Sequence, residues 1–347
     1  ALIGRHRLPS DQTLYRSLAY FSAQALRRAV EDAYLQSRAV VPGRVWVAVD
    51  THQVPYWGRG KLGQFQKGWS GSHSRRLRGY RLLLAVDTET GQTIIPSGSP
   101  SCRSTHGSAL ARGKVRDQTL IALVARRLRS LLGRQLAGIV ADCGFTSKRS
   151  LPALVQTGVP FILGFARSKP VKRRLAALSP QQRRWLKDGG AVRLGTCPWN
   201  ERLRLFALGA RSPTDKRGPW VYVTSLRSAG PQFLAQTYRQ RWRAEQAIEE
   251  ELNGHDLDHL VSYRLHPNRL AIGFRLLARN LAIGLQITEA HGRPETIREP
   301  LAFRAKHVDG LGSFIQRGPL LLLAPLHSNG AQRYHLPWTQ LVVQVAA

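Results

Sequence analysis

The sequence predicts a mixed α/β fold with helices flanking its sheet, and three observations predict it. Short apolar runs, "RVWVAVD" (44–50), "QLAGIVADCGFTS" (135–147) and "VPFILGFAR" (159–167), read as strands, and the first two run up to an acid. Stretches with apolar residues at helical spacing lie before and between them. Strands that are apolar on both faces need cover on both sides, which a mixed sheet flanked by helices provides. With 43% hydrophobic residues in 347, the chain can bury a real core, as one large domain or one domain with an insertion.

Taken in order, residues 10–37 suit one or two amphipathic helices, with Ser10 or Asp11 as cap. A strand over 44–50 ends at Asp50, and "YRLLLAVDTETGQTIIP" (80–96) suits two antiparallel strands turned at "DTETGQ". A helix over 114–133 leads to the strand that ends at Asp142, then "KRSLPALVQTG" starts a helix and 159–167 forms another buried strand. Residues 168–230 break this rhythm with a basic helical stretch and three short strand candidates, read as a β-rich insertion. A helix from Pro231 or Gln232 runs through "TYRQRWRAEQAIEEELN" (237–253) as one unit. The apolar run at 270–287 is interrupted by Arg275 and Arg279, so it reads as a packed helix and not a membrane span. The expected divisions are therefore 1–43, 44–167, 168–230, 231–290 and a tail from 291 to 347.

The charge is far from balanced: 52 Lys plus Arg against 21 Asp plus Glu give +31. A surplus of this size draws in polyanions, because each phosphate neutralised releases condensed counterions. Nucleic acid is the expected partner, and a structural RNA-binding protein carries a similar balance. Arg outnumbers Lys by 43 to 9, and its planar fork suits phosphate oxygens and base edges. Cys102, Cys143 and Cys197 form no CxxC pair, and only Cys102 has a nearby His, His106, which argues against a four-ligand zinc finger. The odd cysteine count and the lack of a signal peptide suit a reducing, cytoplasmic setting, without a membrane.

Three acids stand out. Asp50 and Asp142 close predicted strands, where open α/β sheets put their ligands, although such residues also cap turns. On a helix turning about 100° per residue, Tyr238, Arg241, Glu245 and Glu249 share one stripe bordering the apolar side. Glu245 is the acid aimed inward, with Glu249 its nearest rival, whereas Glu250 and Glu251 point away and read as a solvated face. The alternative for Arg241 and Glu245 is a surface i,i+4 ion pair. Three converging carboxylates repel one another unless cations hold them. Two divalent metals do so, and in phosphodiester transfer they also activate the attacking oxygen and stabilise the leaving one.

These residues make the sequence resemble the insertion-sequence DDE transposases, in the branch marked by Tyr-x2-Arg-x3-Glu-x6-Lys. Tyr238, Arg241 and Glu245 in "YRQRWRAE" match that signature, "VWVAVDTH" resembles the first-Asp strand and "GIVADCGF" the second-Asp motif. The resemblance implies a ribonuclease-H-like core with a β-rich insertion before the last catalytic helix. It implies that Asp50, Asp142 and Glu245 are catalytic and bind two divalent ions, Mg²⁺ with Mn²⁺ able to substitute. It sets Tyr238 and Arg241 near the active site or the DNA backbone. The implied substrates are double-stranded transposon ends and target DNA, the implied assembly a homodimer in a synaptic complex, and residues 1–43 a DNA-end contact. The spacings, 92 residues from Asp50 to Asp142 and 103 from Asp142 to Glu245, fit the long-insertion branch.

One departure is Leu252, which stands where the signature has Lys and continues the apolar side of the helix. The stretch 58–81, rich in Gly and Arg with Phe65 and Trp69, reads either as a loop tracking a DNA backbone or as a disordered basic loop. His52, His73 and His106 read as DNA contacts or surface residues, and Trp185, Trp199 and Trp220 as core residues ahead of base wedges. A nuclease on the same core and a catalytically silent DNA-binding derivative are the alternative functions.

Overall fold

The computed structural model describes residues 22–57, 66–70, 75–94, 110–111, 117–209, 219–255, 257, 259–262, 264–294, 297, 312–317 and 320–325. The chain divides into two compact units, Phe21–Ile297 and a second made of Ala1–Tyr20 with Arg298–Ala347.

The larger unit opens with helix α1 (Ala23–Ala39), capped by the Ser22 hydroxyl, which accepts from the Ala25 N–H. The caps expected at Ser10 and Asp11 lie outside the described residues. Strand β1 (Val45–Pro55) is longer than expected, because its pairing with β3 continues past Asp50 to Pro55. It pairs antiparallel with β3 (Arg75–Asp87), which also pairs with β2 (Gln66–Ser70), β4 (Thr93–Ile94) and β5 (Leu110–Ala111). Much of the stretch expected as a basic loop is therefore sheet: its apolar and β-branched residues are few, but backbone pairing with β3 carries it. Phe65 and His73 lie outside the described residues, as do Cys102 and His106.

Helix α2 (Asp117–Leu132) leads to β6 (Leu136–Ala141), a single 3-10 turn at Cys143–Phe145, helix α3 (Ser150–Val155) and β7 (Phe161–Gly164). Helices α4 (Lys169–Ala176) and α5 (Pro180–Lys187) follow, the latter opened by a Ser179–Gln182 capping box with Pro at its first turn. Strands β8 (Ala191–Cys197), β9 (Asn200–Leu208) and β10 (Trp220–Thr224) are hydrogen-bonded into the same sheet. The order is β2-β3-β1-β6-β7-β10-β9-β8, with β1–β6 and β6–β7 parallel. This is a mixed α/β architecture: a central mixed sheet flanked by helices, the layout of a ribonuclease-H-like core with insertions.

Alternation assigns the two faces. Val45, Val47 and Val49 of β1 join the core packed by Leu120, Ile121 and Val124 of α2. Ala48, Leu82, Leu84 and Val140 face the other way, against helices α6 (Pro231–Arg239), α7 (Trp242–His255) and α8 (Leu265–Glu289). The turn from β3 to β4 follows the expected "DTETGQ": Asp87 Oδ1 accepts from the Glu89 and Thr90 N–H groups, and Gly91 takes φ 73°. In the second unit, β11 (Gly312–Arg317) and β12 (Leu320–Pro325) form an antiparallel hairpin.

Candidate active site at the ends of two parallel strands

Register brings the first two acids together. Val49 of β1 is level with Ala141 of β6, so Asp50 and Asp142 leave adjacent parallel strands side by side. Asp50 does not end β1 as expected; it stands where β1 loses its β6 neighbour, while pairing with β3 continues to Pro55. Parity puts its side chain on the face covered by α6 and α7. Backbone donors pin both carboxylates: Thr51 N–H reaches Asp50 Oδ1 at 2.7 Å, and Gly144 N–H reaches Asp142 Oδ1 at 2.9 Å. Burial pushes the Asp50 carboxyl up from 3.8 to about 6, with the neighbouring Asp142 charge adding to it and Arg241 opposing it.

The third acid arrives on a broken helix. The segment expected as one helix is two, α6 and α7, parted at Gln240 and Arg241. Bonds from Gln240, Arg241, Arg243 and Ala244 N–H to carbonyls three residues back tighten this turn. The Thr88 hydroxyl, 3.3 Å from Gln240 Oε1 and 3.0 Å from the Trp46 carbonyl, ties the break to the sheet. Arg241 thus turns under α7, its Nη2 2.8 Å from Glu245 Oε1 and its Nη1 3.7 Å from Asp50 Oδ2. The i,i+4 pair exists, but it is not a surface pair alone, since the same guanidinium reaches Asp50. The Asp50 and Arg241 side chains are 16% and 18% exposed, whereas Glu245 is 54% exposed, so the cluster opens on the Glu245 side.

Tyr238 is buried beneath this group, stacked on Tyr222 at 5.5 Å, which stacks in turn on Phe206 at 5.7 Å. Its hydroxyl is hydrogen-bonded to Arg241, and burial pushes it up to about 12. Gly164 makes the room: a Cβ there would stand 2.8 Å from the Tyr238 hydroxyl and 2.7 Å from the Cys143 N. All five residues singled out from the sequence, Asp50, Asp142, Tyr238, Arg241 and Glu245, therefore meet at one end of the sheet.

Other expectations are corrected. Glu251 is not on a solvated face; it is fully buried, 3.6 Å from Arg279 Nε, and Arg279 also reaches Glu250 at 2.5 Å and the Gly91 carbonyl at 2.5 Å. Helix α7 is continuous from Trp242 to His255, and at about 100° per residue Glu251 falls among Ala244, Ala247 and Ile248, on the buried side of the helix. Glu249 is exposed, and Leu252 packs against the core beside Ile248 and Leu257. Of the three tryptophans read as core, Trp199 packs on Phe165 at 4.6 Å, but Trp185 and Trp220 are 48% and 44% exposed. Arg279 was visible only as a charge interrupting an apolar run, and that interruption is the signal that marks a buried ion pair.

Hard oxygen donors side by side, one carboxyl raised by burial and then by its neighbour, fit a divalent cation of the Mg²⁺ type. Among the described residues no three His, Cys, Asp or Glu side chains are gathered closely enough to hold a metal ion as they stand. Arg241 occupies the space between Asp50 and Glu245 and supplies the positive charge there.

Comparison with known proteins adds one finding. No curated protein matches the chain. A family model described as "Transposase DDE domain" matches residues 43–281, which include every element of this site. The chain belongs to the DDE transposase family.

Proposed function

We propose that this chain is a metal-dependent transposase that cuts at the ends of a transposable element and joins the 3′-hydroxyl to target DNA. The observation that carries the reading is the meeting of Asp50 and Asp142 where β1 and β6 stop pairing, with Arg241 linking Asp50 to Glu245. Asp50, Asp142 and Glu245 would hold two divalent ions, Mg²⁺ or Mn²⁺. When bound, the metals activate the attacking hydroxyl or water and neutralise the leaving oxygen.

The chain's own residues do the rest. Asp50 and Asp142 are held by backbone N–H groups, which fixes their oxygens before substrate arrives. Glu245, more exposed than either, closes the cluster once it leaves Arg241, whose guanidinium then turns to a DNA phosphate. Tyr238 props Arg241 from below. Leu252 does not supply the cation that the signature Lys would; it holds α7 on the core. The double-stranded substrates are element ends and target, bound by a homodimer in a synaptic complex in the cytoplasm, with residues 168–230 as the insertion and 1–43 as an end contact.

The test is cleavage and joining of DNA carrying candidate element ends in Mg²⁺ or Mn²⁺, comparing the parent with Glu245→Gln. Joined products from the parent, absent in the variant at equal DNA binding, support the reading. Cleavage without joining makes the chain a nuclease, and binding without product makes it a silent derivative.

A further inference from the structure

A second cationic feature lies on the sheet away from the acids. On β9, Arg202, Arg204 and Phe206 alternate onto the face that carries Tyr222, while Leu203 and Leu205 face the other core. Arg193 of β8 is level with Phe206 and so shares that face, and Arg204 is level with Thr224 of β10. Arg227, exposed in the connection from β10 to α6, completes the group: the charges of Arg193 and Arg227 both act on Arg204. Glu201, the one acid between residues 191 and 208, alternates to the opposite face.

The arrangement is unfavourable as it stands. Arg204 Nη2 is buried with no hydrogen-bond partner, and among the described residues none of Arg193, Arg204 and Arg227 is in an ion pair. Burial and then the two like charges both lower the Arg204 pKa. Two arginine forks on one sheet face, with Arg227 in the adjoining connection and a guanidinium nitrogen lacking an acceptor, favour an anionic partner such as a phosphate oxygen.

We infer that Arg193, Arg204 and Arg227 form a binding site for one phosphodiester group of the DNA backbone, separate from the acid cluster at the strand ends. The phosphate oxygens accept from the exposed forks of Arg193 and Arg227 beside Arg204 and offset the repulsion among the three cations. This inference rests on DNA as the partner and not on which acids are catalytic. The site has a stability signature that a structural arginine lacks: the free protein is better off without Arg204, and the DNA complex worse off.

The experiment measures binding of a 30-base-pair duplex of arbitrary sequence from 50 to 300 mM salt, by fluorescence anisotropy, with the full chain. Arg204→Met and, as a surface variant that leaves packing untouched, Arg193→Gln are compared with the parent. The slope of log affinity against log salt should fall by about one in Arg204→Met, with affinity lost evenly across sequences. The variant's urea midpoint without DNA should equal or exceed the parent's. Slopes and affinities equal to the parent's in both variants would overturn the inference, even with cleavage and joining intact in the parent. So would thermal protection of the parent by millimolar inorganic phosphate together with unchanged duplex slopes, which would assign the cluster to a free anion.

Discussion

Helix α7 carries two clusters of the same composition, one arginine facing two acids, that differ in access. At its start Arg241 links Glu245 and Asp50, and the Glu245 side chain is 54% exposed. Further along α7, Glu250 and Glu251 face Arg279 of α8, which is 2% exposed, and Glu251 is wholly buried. Both push a carboxyl up chiefly by burial, Asp50 to about 6 and Glu251 to about 7. The open cluster can exchange its arginine for an outside cation. The sealed one cannot, and serves to join α7, α8 and the β3–β4 turn through Arg279 and the Gly91 carbonyl. Like composition therefore gives a candidate reaction site in one place and a structural clasp in the other, and solvent access separates them.

The largest expected effect breaks the clasp. Arg279→Met leaves Glu250 and Glu251 without their cation, and should cost about 3–5 kcal/mol by urea unfolding. Arg241→Gln, at the open cluster, should cost less, about 1–3 kcal/mol, because only Asp50 is left buried while Glu245 stays in solvent. Equal losses would mean that both clusters are structural.

The next effect is a pH dependence. Asp50 binds its proton more tightly when folded, so its contribution to stability falls as pH rises from its ordinary 3.8 through about 6, and the cost is fully present above that. Without divalent ions at pH 8, Asp50→Asn should be more stable than the parent by up to about 2–3 kcal/mol, and the two should converge below pH 4. Mn²⁺ should close that gap by stabilising the parent. Glu251 has the same sign, its cost growing between 4.5 and about 7, but Mn²⁺ should leave it unchanged. The smallest effect concerns the signature gap: Leu252→Lys should cost about 1 kcal/mol of stability from lost packing and leave cleavage unchanged. Faster cleavage would mean that a missing cation limits the reaction.

Asp142 was legible because an apolar run ending in Asp reports both strand and position; Asp50 lies inside β1, and Val49 opposite Ala141 sets the two acids side by side. The helix wheel was legible from Arg241 onward, where Glu245 follows at i+4. Glu251 was misread because a carboxylate suggests solvent, while its cation, Arg279, lies on another helix; the break at Gln240 and Arg241 was missed because neither Gly nor Pro occurs between 232 and 253. The strands at 66–70 and 75–79 were missed for a related reason. They pair with each other across four residues, Ser70 opposite Arg75, but their own residues are basic and Gly-rich and carry no apolar alternation. Arg204 was one of 43 arginines, and only the sheet register singles it out.

The most direct test of the difference between the two clusters is a Mn²⁺ titration by calorimetry on the parent, Glu245→Gln and Glu251→Gln, each without DNA. The account predicts binding in the parent, at least tenfold weaker binding in Glu245→Gln, and parent-like binding in Glu251→Gln. Parent-like binding in Glu245→Gln, or a loss confined to Glu251→Gln, would contradict it.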